Sequence, residues 1–331
     1  MLLNLQRILV VVSLGFLLVP CGCAQIAGVL APRSGDEIVI AGDMIHTGMT
    51  VRLWLDPGGF DAYRGHRSDQ PEIEAPRDEP QQRLRFGSMR RGLPPGLKAR
   101  VRQQGWTRAD LAEVIDTVVL HYDACGSSSR CFHILHNLRG LSCHFLLDVD
   151  GTIYQTLDVK ERAWHAGDAN DRSIGIEIAH FGAYPSPQDA DRHYLVEGPS
   201  VRLNPASVVG TSAEGAPPFP SRPQLLEGEI HGQQLYQRDF TEAQYRSLEA
   251  LLVTLCHHLP GIEARVPRQP SGQVEDRLRQ ELSGQSVAGI VGHWHVGSHK
   301  VDPGPAFDWD RIENALREAG FPSSKKDSLD W

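Results

Sequence analysis

An α/β fold, with a central mixed β-sheet flanked by helices, a small N-terminal β extension and a long inserted loop, is what this sequence predicts. Three observations carry that expectation. Short apolar, β-branched runs at residues 117–121, 173–179 and 288–292 have the length and composition of buried strands. Amphipathic stretches that open on capping residues follow Thr107, Thr241 and Asp308. Strand and helix patterns therefore alternate along the chain, which builds a sheet with helices against its faces.

The chain opens on Arg7 and an apolar run over residues 8–19 that is too short to span a bilayer, followed by Pro20-Cys21-Gly22-Cys23-Ala24. Residues 1–23 read as an export signal, so the mature protein is expected in the periplasm or cell envelope. A cysteine after a small residue makes Cys23, or alternatively Cys21, a candidate for lipidation and an outer-membrane anchor. Gly22-Cys23-Ala24 equally suits simple secretion, and both readings stay open.

Residues 24–90 form an N-terminal extension. It holds apolar alternations at 37–41 and 50–55, the turn Pro57-Gly58-Gly59, and a linker over 68–82 rich in proline, glutamate and glutamine. The main domain is expected over 91–321, with a tail at 322–331. Thr107 caps a helix to about residue 114, residues 117–121 are a strand, and a helix over about 130–138 stops at Gly140. Segments 143–147 and 152–155 flank Asp150-Gly151 and read as a hairpin, and residues 173–179 are the next strand. Residues 184–235, heavy in proline, glycine and serine, are expected to be an inserted β-rich flap or a surface excursion near the cleft. Thr241 and Gln244 make a capping box for a helix whose buried face carries Leu248, Leu251, Leu252 and Leu255. A strand at 288–292 feeds a histidine-rich loop. Asp308 then caps a last helix with Ile312 and Leu316 inside and Gly320 as its stop.

At 331 residues the chain has room for one large or two modest domains, and 40% hydrophobic with 22% charged residues is ordinary globular composition. A formal charge of −8 argues against nucleic acid as a partner, because such binders need a cationic surface. The basic run over 83–102 reads as a solvated surface.

The chemistry concentrates in residues 292–305, GHWHVGSHKVDPGP, and at His121 on the end of the 117–121 strand. Two imidazoles and one carboxylate are a common protein share of a catalytic zinc site. His121, His293 and Asp302 are the expected ligands, with His295 and His299 as rivals on the same loop. Zinc so held lowers the pKa of a bound water to about 7 and polarises a carbonyl, which is amide-hydrolysis chemistry. Glu177 is a carboxylate inside an apolar strand, where an unpaired charge is costly; it is expected to act as general base. Lys300, two residues before Asp302, would stand on the same side if the segment is extended and could stabilise an oxyanion. His165, on a tight turn, and Asn170 beyond it are expected to contact substrate. His133, His136, His144, His257 and His258 are expected to be structural or exposed. Cys125 and Cys131 lie close together in an exported chain and are expected to be bonded, whereas Cys143 and Cys256 read as buried thiols.

The segments VVLHYDACGSSSRC, SCHFLLDVDGTIYQTLD, RAWHAGDANDRSIGIEIAHFGAY, DFTEAQYRSLEALL and VGHWHVGSHKVDPGPAFDW together resemble the type-2 N-acetylmuramoyl-L-alanine amidases, a superfamily that includes T7-type lysozyme and the peptidoglycan recognition proteins. The resemblance runs from about residue 116 to 320, the insertion excepted. It implies zinc-dependent cleavage of the amide joining N-acetylmuramic acid to L-alanine, with peptidoglycan or muropeptides as partner. It places the metal ligands on His121, His293 and Asp302, the catalytic glutamate on Glu177 and the catalytic lysine on Lys300. The Cys125 and Cys131 spacing resembles the short disulfide of recognition proteins. The loop from His293 to Lys300 is one residue shorter than in many bacterial relatives, which lets the alignment slip toward His295. A non-catalytic peptidoglycan-binding module is the alternative, distinguished by loss of a metal ligand.

Overall fold

The computed structural model describes residues 33–63, 88–208, 218–275 and 288–322, and those from Ser34 onward form one unit. The N-terminal extension contributes β1 (Glu37–Ile40), β2 (Asp43–His46) and β3 (Val51–Leu53), and is followed by α1 (Pro95–Gln104) and α2 (Arg108–Ala112). Next come β4 (Thr117–Tyr122), α3 (Ser128–Phe132), β5 (Phe145–Leu147), β6 (Ile153–Gln155) and β7 (Ser173–Ile178). The insertion holds α4 (Pro187–Asp191), β8 (Tyr194–Glu197), β9 (Ser200–Leu203), β10 (Leu226–Ile230) and β11 (Gln233–Gln237). The chain closes with α5 (Glu242–His258), β12 (Gly289–Gly292) and α6 (Trp309–Glu318). The expected leader, the linker over 68–82 and most of the tail lie outside the described residues. No described helix is long and apolar enough to cross a membrane.

Six strands make the central sheet in the order β12-β4-β7-β5-β6-β3. β4 is parallel to both β12 and β7, β5 is parallel to β7, and only the β5–β6 pair is antiparallel, so the sheet is mixed as expected. Side chains alternate between faces along each strand. Val118 and Leu120 of β4, with Ile174, Ile176 and Ile178 of β7, join Leu248, Leu251, Leu252 and Leu255 of α5 in the main core. The intervening residues Val119, His121, Gly175 and Glu177 therefore take the opposite face. His121 and Glu177 are register partners on adjacent parallel strands, which puts their side chains next to one another.

The described part of the N-terminal extension packs onto the main domain. β3 pairs with β6 and completes the sheet edge. The β1–β2 hairpin is tied on by Gln155, whose amide accepts from the Val39 N–H at 2.7 Å and donates to the Val39 carbonyl at 2.8 Å. The described part of the insertion is built around two hairpins, β8–β9 and β10–β11. Local signals hold well elsewhere. Thr107 and Thr241 both make reciprocal capping boxes, and Asp308 caps α6. The 130–138 helix begins two residues early behind a Ser127 cap and continues as a π-helical turn over His133–Leu138, with Gly140 at φ 59° beyond it.

The expected Cys125–Cys131 bond is not formed: both are free, buried thiols. They pack with Cys143, Leu146 and Tyr154 in an apolar cluster, where a thiol behaves as a small hydrophobe. Burial pushes the Cys125 thiol up to about 12, which keeps it protonated and unreactive as a nucleophile.

Burial pushes His121, His180 and His295 down to about 4 and His144 to about 3, and holds His165 well below its ordinary value. Each is neutral when folded but takes a proton below pH 6.5 when unfolded, so its contribution is present above 6.5 and lost as pH falls. Asp123, pushed up to about 7, and Glu177, raised well above its ordinary value, act in the opposite sense. The histidines outnumber the carboxyls. Metal-free protein is expected to lose stability between pH 6.5 and 4 by on the order of a few kcal/mol per pH unit. Denaturant midpoints measured at pH 7 and pH 5 check this; a higher midpoint at pH 5 contradicts it.

Candidate metal centre

Three elements deliver the ligands. β4 carries His121 as its penultimate residue, β12 lies beside it and runs straight into His293, and the following loop returns Asp302 to the same point. Gly292 permits that return, because a Cβ there would stand 2.8 Å from Pro303 Cδ and 3.3 Å from the Asp302 carbonyl oxygen. The Trp294 N–H donates to that carbonyl at 3.3 Å. His121 Nδ1, His293 Nδ1 and Asp302 Oδ2 converge, the nitrogens 2.9 Å apart and the oxygen 3.0 and 2.9 Å from them.

Three lone-pair-bearing atoms this close repel unless protons or a cation lie among them. Burial and the neighbouring His293 keep His121 neutral. Burial alone would raise the Asp302 pKa, but hydrogen bonds from His121 and His293 outweigh it and hold the carboxyl well below the ordinary carboxylate range. A neutral imidazole and an ionised carboxylate are the forms that bind metal. The two-nitrogen, one-oxygen set suits zinc with a position left open. His121 is 2% exposed, whereas the His293 and Asp302 side chains are each 12% exposed, so the site meets solvent from their side.

Glu177 is 8% exposed beside His121. Burial, then the charges of Asp302 and Asp123, raise its pKa well above the ordinary value, so without a cation it keeps its proton. A divalent ion among the three ligands would favour the carboxylate instead. Lys300 follows a turn in which its N–H donates to the Gly297 carbonyl at 3.0 Å, and its stem packs where a Cβ on Gly297 would stand. Its charge reaches His121 and Glu177.

The rivals on the loop are placed elsewhere. His295 is 1% exposed; its Nδ1 lies 2.9 Å from the Gly292 nitrogen and 3.3 Å from the Gly292 carbonyl oxygen, and its Nε2 lies 3.1 Å from the Trp294 indole nitrogen. His299 is exposed. His165 meets the site through its Nδ1, 3.0 Å from His121 Nε2. Asn170 is buried, and its side-chain oxygen accepts from the His165 and Ala166 N–H groups at 3.0 and 2.7 Å. That oxygen holds a turn, so the expected substrate contact has no support at this atom. Of the histidines set aside, His144 is buried and accepts the Gly175 N–H at 3.1 Å.

Two site residues went unrecognised in the sequence. Gln237 on β11 is fully buried; its amide donates to the Pro303 carbonyl at 3.0 Å and accepts from the Ala306 N–H at 2.9 Å, clamping the loop just after Asp302. A polar residue in phase with buried Leu235 was the available signal. Asp123 accepts the Cys125, Gly126 and His180 N–H groups at 2.9, 3.0 and 2.9 Å, tying the exit of β4 to the exit of β7. A carboxylate directly after an apolar strand and before Gly126 is an Asx-turn pattern.

A family model described as N-acetylmuramoyl-L-alanine amidase matches residues 111–305, more than half of the chain and the whole span from before β4 through the Asp302 loop. The chain belongs to that family. Among solved structures, an AmpD derivative is 20% identical, with 63% of this chain and 88% of that one covered at a TM-score of 0.34. The AmiD amidase from E. coli, in complex with anhydro-N-acetylmuramic acid-L-Ala-D-gamma-Glu-L-Lys, is 20% identical over 66% of this chain and 60% of that one, with a TM-score of 0.35. Staphylococcus aureus AmiA with its ligand is 11% identical over 70% and 93%, at 0.34. No curated protein matches. Membership of the amidase family supports hydrolysis of a peptidoglycan amide.

Proposed function

We propose that this amidase-family chain is zinc-dependent and cleaves the amide between N-acetylmuramic acid and L-alanine in peptidoglycan or its fragments. The convergence of His121, His293 and Asp302 beside Glu177 carries the reading. His121, His293 and Asp302 would hold the ion. When bound it supplies a Lewis acid for the carbonyl and lowers the pKa of water to about 7. Glu177, ionised, takes the proton of the attacking water at its carboxylate oxygen and returns it to the departing amine of L-alanine. The Lys300 ammonium favours the negative charge that develops on the amide oxygen. The sheet face opposite Glu177 and His121 is apolar and packed against α5, which keeps bulk water from the rear of the site.

Digestion of purified muropeptides, read by mass spectrometry, tests this. Zinc-loaded protein is expected to release peptides with a new L-alanine amino terminus, and chelator-treated protein to release none. Binding without cleavage would favour the recognition-module reading, and a new amine at another residue would make the protein a peptidase.

A further inference from the structure

We propose that His165 is a positioning residue for His121, fixing which imidazole nitrogen faces the metal, and not a substrate contact. The proposal rests on the zinc reading above. His121 turns Nδ1 toward His293 and Asp302, so its Nε2 points away from the ligand cluster and meets His165 Nδ1 at 3.0 Å. An imidazole that ligates through Nδ1 carries its proton on Nε2, and a buried N–H requires an acceptor. His165 Nδ1 is that acceptor. Its own proton then sits on Nε2, 3.3 Å from Ser173 Oγ. Both ring nitrogens are thereby committed within the protein, which leaves His165 no polar atom for a ligand.

The surroundings are built to hold this ring. A Cβ on Gly175 would lie 2.6 Å from His165 Cγ and Nδ1, so the ring can lie against β7 only because residue 175 has no side chain. The backbone beneath the ring is set by the Asn170 side-chain oxygen, which accepts from His165 and Ala166. Asn170 is held in turn by Arg90, a buried guanidinium whose Nη1 donates to the Asn170 carbonyl at 3.2 Å and to the Ser173 carbonyl at 3.1 Å. A chain of hydrogen bonds thus runs from Arg90 through Asn170 and His165 to His121. The glycine in Ile174-Gly175-Ile176-Glu177 and the histidine in Trp164-His165-Ala166 serve one purpose, the orientation of a ligand on the neighbouring strand. Outer partners of metal-bound histidines act in this way, and their loss costs about 10–100-fold in metal affinity.

The test is zinc affinity of the full chain, measured by competition with a chromogenic chelator, beside KM and kcat at saturating zinc. His165→Leu removes the acceptor and is expected to weaken zinc binding about 10–100-fold while KM changes by less than about twofold. His165→Asn keeps an amide oxygen near the Nδ1 position and is expected to recover most of the affinity. Gly175→Ala displaces the ring without altering its chemistry and is expected to follow His165→Leu. Should His165→Leu not fold, the contrast between His165→Asn and Gly175→Ala decides in its place. Wild-type affinity in His165→Leu, or raised KM with zinc binding unchanged, overturns the proposal and restores substrate contact. A wild-type chain that binds no zinc sinks the zinc reading itself, and this proposal with it.

Discussion

Glu177→Gln is expected to lower turnover by about 10²–10⁴-fold, the range over which a positioned general base accelerates proton transfer. The exchange is nearly isosteric. It removes the atom that takes and returns a proton while leaving the strand pairing with His121 intact. In the metal-free protein Glu177 already holds its proton, since burial and the charges of Asp302 and Asp123 raise its pKa. A neutral amide in its place therefore costs little stability, and the thermal midpoint of metal-free protein is expected to shift by only a few degrees. Zinc binding should persist, because the carboxylate is not among the three converging atoms. Steady-state hydrolysis of a muropeptide and zinc content measured on the same sample give the answer. A Glu177→Gln protein with near wild-type turnover would overturn the assignment of the base.

His121→Ala and Asp302→Ala are expected to lose zinc and hydrolysis together. Each removes one of three protein ligands, so the fall in metal affinity should exceed the about 10–100-fold that an outer partner contributes. It should also appear as stability. A ligand that binds only the folded state adds about 4 kcal/mol at a thousand times its Kd, so added zinc should raise the wild-type melting temperature and leave both variants unmoved. His299→Ala is the control: the side chain is exposed on the same loop, and this variant should bind zinc as the wild type does. A zinc-dependent rise in melting temperature in His121→Ala would remove that residue from the metal site.

The strands at β4, β7 and β12 were legible because each is a short, largely apolar run, and strands buried on both faces of a parallel sheet demand that near-continuous pattern. The caps at Thr107, Thr241 and Asp308 were legible because a capping box involves residues three apart and nothing more distant. Choosing among the loop histidines was not possible on spacing alone. A tight 3-10 turn over His293–His295 points neighbouring side chains in different directions, sending His293 to Asp302 and His295 back to the Gly292 N–H. The Cys125 and Cys131 spacing misled for a similar reason, since proximity in sequence says nothing of whether two thiols are bonded or packed apart in an apolar cluster.

By itself the sequence determined the strands, the helix starts, the strand on which Glu177 sits and the small set of residues able to bind metal, because these follow from local periodicity and side-chain chemistry. Only the tertiary structure decided that β3 closes the sheet, that Gln237 from the insertion clamps the Asp302 loop, and that His165 turns toward His121. Those choices join residues far apart in the chain. They are set by which buried donors and acceptors can satisfy one another once the sheet has formed, and no local pattern records that pairing.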